Sequence, residues 1–307
     1  MDQAIQQVPS TWAPIVGRWT VDDQVVVYEG PQEGTGHPFG ICLSNLRFTE
    51  GTINVTVVLS QDAQDTAGRV LFGYRSLSES YWTAGLGGYG SAYVLSEFDP
   101  SFGWRAISPP LGSDSNLNFG KNYRVEVKLA GQRVYLTIDD VRVLEHVLDQ
   151  PVTSGQVGLY AWGNGQVRFS RMAVSQLPPR VFVVMQFSEP YKQLYSEVIQ
   201  PVAREFGLEA YHVGEVPGPG VILNDIVQGL IEAKVVIAEV TPSNQNVFYE
   251  LGYAHALGKP TILLAERGKL LPFDITGYRC LFYENTIGGK KQVEDALRKH
   301  LRAILHE

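Results

Sequence analysis

The feature that most constrains the fold is an apolar, β-branched run that is followed at once by a polar turn and an apolar helix. The run reads KVVIAEV over residues 234–240, and a strand this apolar is typical of a parallel sheet covered by helices on both faces. Residues 241–244 favour a turn and a helix cap. Ligands of such sheets bind at the carboxyl ends of the strands, beside helix N-termini. Glu239 and Glu250 are predicted to lie near that edge.

Length and composition favour two domains. The chain has 307 residues, of which 44% are hydrophobic and 19% charged, which are ordinary values for a globular protein of this size. The net charge of -7 argues against a nucleic-acid partner. Cys42 and Cys280 fall in different predicted domains, so no disulfide is expected and a reducing compartment fits. Because the chain shows neither a signal sequence nor a long apolar run, we expect a cytoplasmic protein with no membrane partner.

Residues 1–178 are predicted to form an all-β domain. Short alternating segments are separated by Gly, Asn, Asp and Ser, without helical periodicity. The clearest pair, residues 123–129 and 133–138, alternates on both sides of Gly131 and predicts a hairpin. Ten such segments imply a two-sheet sandwich or jelly roll. They are residues 19–28, 41–48, 52–59, 69–74, 81–85, 93–96, 123–129, 133–138, 156–162 and 167–174.

The segments YRVEVKLAGQRVYLTIDDVRVLEH and GQVGLYAWGNGQVRFSRMAV resemble the concanavalin-like jelly rolls of laminin-G modules and sugar-acting domains. That resemblance implies a fold that serves lectins, glycosidases and scaffolds alike. The paired-carboxylate run of retaining jelly-roll glycosidases is absent, which argues against glycosidase activity. Several aromatic side chains could stack on a sugar or a nucleobase, although a role in the core is expected. They are Trp82, Tyr89, Tyr93, Trp104 and Trp162.

Residues 179–307 are predicted to form a parallel, doubly wound α/β domain with flavodoxin-like strand order. A Pro-Pro hinge at residues 176–180 precedes it. Apolar strands then alternate with amphipathic helices, which predicts right-handed crossovers. The strands are predicted at residues 181–185, 208–212, 234–240, 261–265 and 279–283, and the helices at residues 191–206 and 221–233, after residue 244, and at residues 292–306.

Four segments of this domain resemble bacterial TIR-like nucleotide-binding domains, which are relatives of nucleoside 2-deoxyribosyltransferases and of NAD-cleaving TIR domains. They are VFVVMQF, GVILNDIVQGLIEAKVVIAEVT, the signature NQNVFYELGYAHALGKPTILLA, and LPFDITGYRCLFYEN, within residues 180–285. The resemblance implies cleavage of an N-glycosidic bond with Glu250 at the ribose. NAD or another nucleotide is then the substrate and no cofactor is required. It also implies a role in anti-phage defence and a homo-oligomer, since related sites often borrow a residue from a neighbouring subunit.

A carboxylate at residue 250 fits this chemistry. Loss of nicotinamide or of a base builds positive charge on the ribose, which a carboxylate can stabilise or attack. The nicotinamide ring of NAD needs no proton to leave, whereas the base of a nucleoside also needs a proton donor. The structural alternative is that Glu250 is a favourable charge in the first turn of a helix.

Residues at two strand ends are candidates for substrate binding. Gln186, Phe187 and Ser188 follow the first strand of the domain and should line the same edge. Phe187 could stack on a base or form a wall of the core. Glu239 stands where the resembling family commonly has aspartate, so it could contact the ribose or cap the loop.

The start of the Glu250 helix supplies further candidates. Asn244 and Asn246 could bind ribose hydroxyls, or they could cap the turn and the helix. Gln245 replaces the proline that is usual in the family. Tyr249 flanks Glu250, where packing competes with substrate contact.

The remaining features leave three functions open. Residues 214–220 form a Gly/Pro loop that could receive phosphates but lacks the lysine of a P-loop. Asp274 is expected to structure the closing loop, and the alternative is that it reaches the site. No cluster has metal-ligand spacing, so no metal is expected. The chain could be an NAD glycohydrolase or cyclase with the sandwich as sensor or oligomerisation module, a deoxyribosyltransferase or base hydrolase, or a non-catalytic nucleotide-sensing scaffold whose sandwich binds a glycan or a protein.

Overall fold

The computed structural model describes residues 6–22, 24–32, 34, 38–60, 66–109, 111–215, 222–272, 275 and 277–305. The chain divides into two compact units, Met1–Leu177 and Pro178–Glu307. The predicted boundary, after residue 178, lies one residue beyond this division. The first unit is a sandwich of two antiparallel sheets and the second is a parallel sheet with helices, which confirms the predicted fold class.

Within the described ranges, sixteen strands build the first unit. They are β1 (Gln6–Gln7), β2 (Trp12–Val16), β3 (Arg18–Val21), β4 (Val25–Gly30), β5 (Phe39–Phe48), β6 (Gly51–Leu59), β7 (Ala67–Tyr74), β8 (Tyr81–Leu86), β9 (Ser91–Asp99), β10 (Gly103–Ala106), β11 (Leu111–Ser113), β12 (Tyr123–Ala130), β13 (Arg133–Ile138), β14 (Val141–Val147), β15 (Gly155–Trp162) and β16 (Val167–Gln176). One sheet has the order β14-β13-β12-β6-β16-β4-β3, with β1 beside β16. The other has the order β10-β9-β8-β7-β15-β5-β2, with β11 beside β9.

Alternation along the strands builds the core between the two sheets. In β6 every second residue is buried, including Ile53 and Val57, and Val70, Phe72 and Leu159 from the other sheet pack in the same cluster. Full burial of such a side chain contributes roughly 1.5 to 3 kcal/mol to folding. The predicted hairpin at residues 123–138 is confirmed, because β12 and β13 pair antiparallel.

The sequence prediction of ten strands was too low. Residues 19–28, predicted as one strand, contain parts of β3 and β4, which pair antiparallel with Val21 opposite Val26. The unpredicted strands β2, β10 and β14 lie at sheet edges, while β1 and β11 are two or three residues long. Such strands have exposed faces and carry little hydrophobic alternation, so the pattern does not reveal them.

In the described part of the second unit, four helices longer than three residues surround five strands. The strands are β17 (Arg180–Val184), β18 (Glu209–Tyr211), β19 (Val235–Glu239), β20 (Thr261–Glu266) and β21 (Cys280–Tyr283). Helix α1 runs through Tyr191–Leu194, a π-turn at Tyr195–Ile199 and Gln200–Glu205, and is followed by α2 (Ile222–Glu232), α3 (Gln245–Ala256) and α4 (Ile287–Leu305). The strands are parallel in the order β18-β17-β19-β20-β21, which confirms the flavodoxin-like order.

Helices cover both faces of this sheet. Residues of α1 and α4 pack in one apolar cluster with the sheet, and residues of α2 and α3 pack in the other. Strand β19 is buried along its whole length, as its apolar sequence requires. None of the helices that the structure describes is long and apolar enough to cross a membrane.

Candidate active site

The carboxyl ends of β17 and β19 form the switch point of the parallel sheet. From β17 the chain moves to β18 on one side and later returns to β19 on the other, and Val184 pairs with Ala238 near the ends of the two central strands. A crevice at such a point is the usual ligand position in this architecture. The loops after both strands and the N-terminus of α3 carry the predicted substrate-binding residues.

A chain of hydrogen bonds joins these two loops. The Asn244 Nδ2 group donates to Gln186 Oε1 at 3.3 Å, and the Gln186 Nε2 group donates to Ser188 Oγ at 2.8 Å. Asn244 Oδ1 accepts from the backbone N–H of Asn246 at 2.9 Å and thereby caps α3. Three predicted residues, Gln186, Ser188 and Asn244, are therefore brought together. The capping alternative for Asn244 is also present and leaves its amide group beside Gln186.

Glu239 holds the loop after β19. Its side chain has no exposed surface, and its Oε1 atom accepts from the backbone N–H of Thr241 at 2.8 Å. Burial raises the pKa of Glu239 to about 7, against hydrogen bonding from Thr241 and the nearby Tyr283 hydroxyl, which lowers it. The Oε2 atom has no partner with good hydrogen-bond geometry among the described residues. This geometry supports the loop-capping interpretation of Glu239, and contact with a ribose stays a prediction.

Thr241 ties the same loop to the neighbouring strand. Its Oγ1 atom accepts from the backbone N–H of Glu266 at 2.6 Å, at the end of β20. Two adjacent strand ends are thus fixed by one hydroxyl group. From the sequence, Thr241 was predicted only as part of the turn at residues 241–244.

Glu250 presents a half-buried carboxylate on α3. The buried stripe of the helix is Val247, Leu251 and Ala254, and Glu250 lies at the flank of that stripe. No described residue donates a hydrogen bond to its carboxylate or forms an ion pair with it, and burial alone raises its pKa to about 7. A carboxyl group with this pKa exists in both protonation states at neutral pH.

The first-turn interpretation of Glu250 is wrong. Helix α3 begins at Gln245 and has no acidic residue in its first turn. Glu250 is the sixth helical residue, about 8 Å along the axis from Gln245 at 1.5 Å per residue. The field of the helix terminus acts within the first turn, so it does not explain the carboxylate.

The other predicted substrate-binding residues, Asn246, Tyr249 and Phe187, differ in their exposure to solvent. Asn246 and Tyr249 are exposed, and 56% of the Tyr249 surface is accessible. The Phe187 ring stacks on the His212 ring, with centroids 3.5 Å apart, and meets Tyr195 edge to face. One face of Phe187 is therefore already covered by a protein ring. Stacking on a base would have to use the other.

His212 is a further candidate residue at this edge, and the sequence did not single it out. It directly follows β18, and its Nδ1 atom accepts from the backbone N–H of Gly214 at 3.0 Å. Its position just after a predicted strand indicates that it lies at this edge, because the carboxyl ends of parallel strands lie along one edge of the sheet. The histidine thus adds a polar ring to the edge that carries Gln186.

His255 takes no part in this edge. It stacks on Tyr278 with ring centroids 4.4 Å apart, and burial lowers its pKa. Asp274 and most of the loop at residues 214–220 lie outside the described residues. Within the part of the chain that the structure describes, no group of three or more His, Cys, Asp or Glu side chains could hold a metal.

The aromatic residues of the sandwich divide between its core and a cavity. Trp82 is buried in the core and stacks on Phe72 with centroids 6.4 Å apart, and Tyr93 packs against the same core. The expected core role holds for these residues. Tyr89, Trp104 and Trp162 line a cavity on one sheet, and Trp104 and Trp162 also pack against a second apolar cluster.

Comparison with known proteins gives structural neighbours and no family. No protein-family profile matches the chain, and no curated protein matches it. A carbohydrate-binding module, CBM66 from Bacillus subtilis, is 16% identical with a TM-score of 0.46, covering 54% of this chain and 97% of that chain. A Bacillus subtilis protein of unknown function with a galectin-like fold is 12% identical with a TM-score of 0.41, covering 57% and 96%. A native glycosidic hydrolase is 11% identical with a TM-score of 0.42, covering 57% and 96%.

Proposed function

We propose that the α/β unit cleaves the nicotinamide–ribose bond of NAD, with Glu250 as the catalytic carboxylate. The observation that carries this proposal is that the carboxylate of Glu250 is half-buried and has no charged or hydrogen-bonding partner among the described residues. An unpaired buried charge is costly to the fold. Such a charge is expected where a substrate, and not the protein, supplies the opposite charge.

The proposed reaction needs one carboxylate. The bond between C1′ of the ribose and the nicotinamide nitrogen breaks, and its electron pair goes to the cationic ring, which leaves neutral. Positive charge then develops on C1′ and the ring oxygen, where the Glu250 carboxylate stabilises it or forms a covalent bond. Water attacks C1′ and loses a proton in hydrolysis, while an internal nucleophile of the substrate gives a cyclic product.

The strand-end edge that precedes α3, the helix that carries Glu250, offers suitable groups for the rest of the substrate. Gln186, Ser188 and Asn244 form one hydrogen-bonded set and carry amide and hydroxyl groups suited to ribose hydroxyls. Phe187 adds an aromatic face. We propose that these residues position the ribose for attack, with Asn246 and Tyr249 at the exposed rim.

A second candidate is transfer or hydrolysis of the base of a deoxynucleoside. Its specific support is the raised pKa of Glu250, because a carboxyl group that is partly protonated at neutral pH can donate the proton that a leaving base requires. Cleavage of NAD does not require this proton, whereas cleavage of a deoxynucleoside does. The two proposed reactions therefore predict turnover of different substrates, with Glu250 as the catalytic residue in both.

The test is turnover of NAD and, separately, of deoxynucleosides by the full chain and by Glu250→Gln. The variant keeps the volume of the side chain and removes its charge, so we expect at least about a 10²-fold loss of product. Glu197→Gln, which removes an exposed carboxylate from α1, is the matched control and should retain activity. Wild-type turnover by Glu250→Gln would remove Glu250 from the mechanism. Inactivity of the wild type with all substrates, together with measurable nucleotide binding, would favour the non-catalytic scaffold.

A further inference from the structure

The β-sandwich contains a cavity of about 400 Å³ that the proposed reaction does not use. Its lining includes Arg69 of β7, Tyr160 and Trp162 of β15, Trp104 of β10, and Tyr89 from the turn between β8 and β9. The neighbours of Arg69 along β7, Gly68 and Val70, face the core between the sheets. Because side chains alternate along a strand, Arg69 points to the opposite face of its sheet.

Arg69 is a buried cation without an anionic partner among the described residues. Only 2% of its surface is accessible. Its Nε group donates to the Gly87 carbonyl at 3.1 Å, its Nη2 group donates to the same carbonyl, and its Nη1 group donates to Ser96 Oγ at 2.9 Å. These acceptors are all neutral, whereas guanidinium stays charged in proteins.

Two aromatic rings lie within cation–π distance of this guanidinium. Its central carbon is 5.4 Å from the centroid of the Tyr89 ring and 5.5 Å from that of Tyr160. Such contacts attract a cation but do not neutralise it. A Cβ atom at residue 88 would lie 2.0 Å from Arg69 Nη2, so glycine at that position makes room for the guanidinium under the turn.

A second donor, on a residue that lines the cavity, lacks a partner. The indole Nε1 group of Trp104 is buried and meets no hydrogen-bond acceptor in the described part of the chain. Buried polar groups are usually satisfied by protein or by a bound molecule. Arg69 and Trp104 line the same cavity. A ligand with hydrogen-bond acceptors that binds there would supply the partners that these two side chains lack.

We propose that this cavity binds a small anion carried on a sugar ring. The carboxylate or phosphate pairs with Arg69, Trp104 donates a hydrogen bond to it or to a ring substituent, and the ring lies against Trp162 and Tyr89. The cavity volume suits a ligand of roughly the size of a monosaccharide or a mononucleotide. An acidic sugar and a nucleoside monophosphate share this chemistry, and the binding experiment distinguishes them.

The experiment is calorimetric titration of the full chain with glucuronate, with AMP, and with glucose as the neutral control. We expect one of the anions to bind and glucose to bind at least about tenfold more weakly, as the loss of a charge-assisted hydrogen bond implies. The anion that binds more tightly shows whether the cavity prefers an acidic sugar or a nucleoside monophosphate. Tryptophan emission should change on binding, because Trp104 and Trp162 line the cavity.

Variants then assign the binding to this cavity. Arg69→Met removes the charge at similar length and should weaken anion binding at least about tenfold. Arg124→Met, which removes an arginine with a 66% accessible side chain from the same unit, is the matched control and should bind as the wild type does. Trp162→Ala keeps Arg69 and should also weaken binding, so the proposal stays testable if Arg69→Met fails to fold.

Three results would overturn the proposal. They are absence of binding for both anions at millimolar concentration, equal binding of glucose and glucuronate, and anion binding that neither Arg69→Met nor Trp162→Ala reduces. AMP bound in the α/β unit would give the third result. Failure here is therefore distinguishable from failure of the proposed reaction, which depends on Glu250.

Discussion

Replacement of Glu250 by glutamine should stabilise the α/β unit at neutral and alkaline pH and have little effect in acid. Burial raises the pKa of this carboxyl group from an ordinary 4.5 to about 7 in the folded chain. The folded state therefore binds the proton more tightly than the unfolded state does. Stability is lost as the pH rises between about 4.5 and 7, and the loss stays constant above that range. Glutamine carries no such charge and escapes this loss.

The size of the effect follows from the same pKa. A rise from 4.5 to about 7 corresponds to about 3 kcal/mol at 1.36 kcal/mol per pKa unit. Since the carboxylate is only half-buried, solvent screening reduces this to roughly 1 to 2 kcal/mol. Glu239, whose pKa burial also raises to about 7, remains in the variant. The variant should therefore still lose stability with rising pH, but less steeply than the wild type.

The assay is urea unfolding across this pH range with two optical signals. All five tryptophans lie between residues 12 and 162, so their emission reports on the sandwich. The described α-helices lie in the second unit, so far-ultraviolet circular dichroism reports mainly on that unit. Glu197→Gln is the control for loss of a helical carboxylate. A Glu250→Gln protein that is no more stable than the wild type above neutral pH, with the same pH slope, would refute the reasoning.

Two further predictions concern stability and assembly. Lys259 is buried and its Nζ group donates to the carbonyls of Ile231 at 2.6 Å and Ala233 at 2.9 Å, at the end of α2. Lys259→Met should lower the free energy of unfolding by about 1 to 3 kcal/mol, measured by circular dichroism, because it leaves these carbonyls without their donor. If a neighbouring subunit completes the active site, the specific activity should fall on dilution in parallel with the mass measured by light scattering. A monomer of constant specific activity would refute the shared site.

The α/β unit could be predicted largely from its sequence, because its strands and helices have different hydrophobic periods. Strand β19 is apolar up to its last residue, Glu239, and the helices around it carry apolar residues at turn spacing. The order of alternating elements then leaves few topologies. The start of α3 after residue 244 was predicted correctly, and the first-turn interpretation of Glu250 was wrong because the sixth helical residue lies in the second turn.

The strands of the sandwich were harder to predict. All of them have the same two-residue period of side-chain orientation, but an exposed edge strand carries few apolar residues to reveal it. Central strands such as β6 alternate clearly and were found, whereas β14, at an edge, has one fully buried residue, Leu144. The break between β3 and β4 depends on a short turn at which Asp22 and Val25 exchange backbone hydrogen bonds. A local hydrogen-bond exchange of this kind leaves no mark on hydrophobic periodicity.

The proximity of two candidate site residues could be predicted from the sequence, but the contacts of the other candidates could not. The rule that polar residues at strand ends meet at one edge selects Gln186 and Asn244, which lie 58 positions apart and share a hydrogen bond. The same rule would have selected His212. Whether a strand-end carboxylate is open or enclosed depends on packing from other strands, which is why the full burial of Glu239 could not be read from its position.

Arg69 in the sandwich and Glu250 in the α/β unit are both charged side chains, at least half-buried, without an oppositely charged partner among the described residues. Arg69 has only neutral hydrogen-bond acceptors, and Glu250 has neither a hydrogen-bond nor an ion-pair partner among the described residues. Burial of each charge lowers the stability of its unit, and a neutral side chain of similar size would not have this effect. The opposite signs match the proposed ligands, since Glu250 would face a ribose that becomes cationic and Arg69 would face an anion. A ligand that supplies the missing charge must stabilise its own unit in proportion to its affinity. Thermal unfolding with the two optical signals can therefore locate each ligand even before its affinity or turnover is measured.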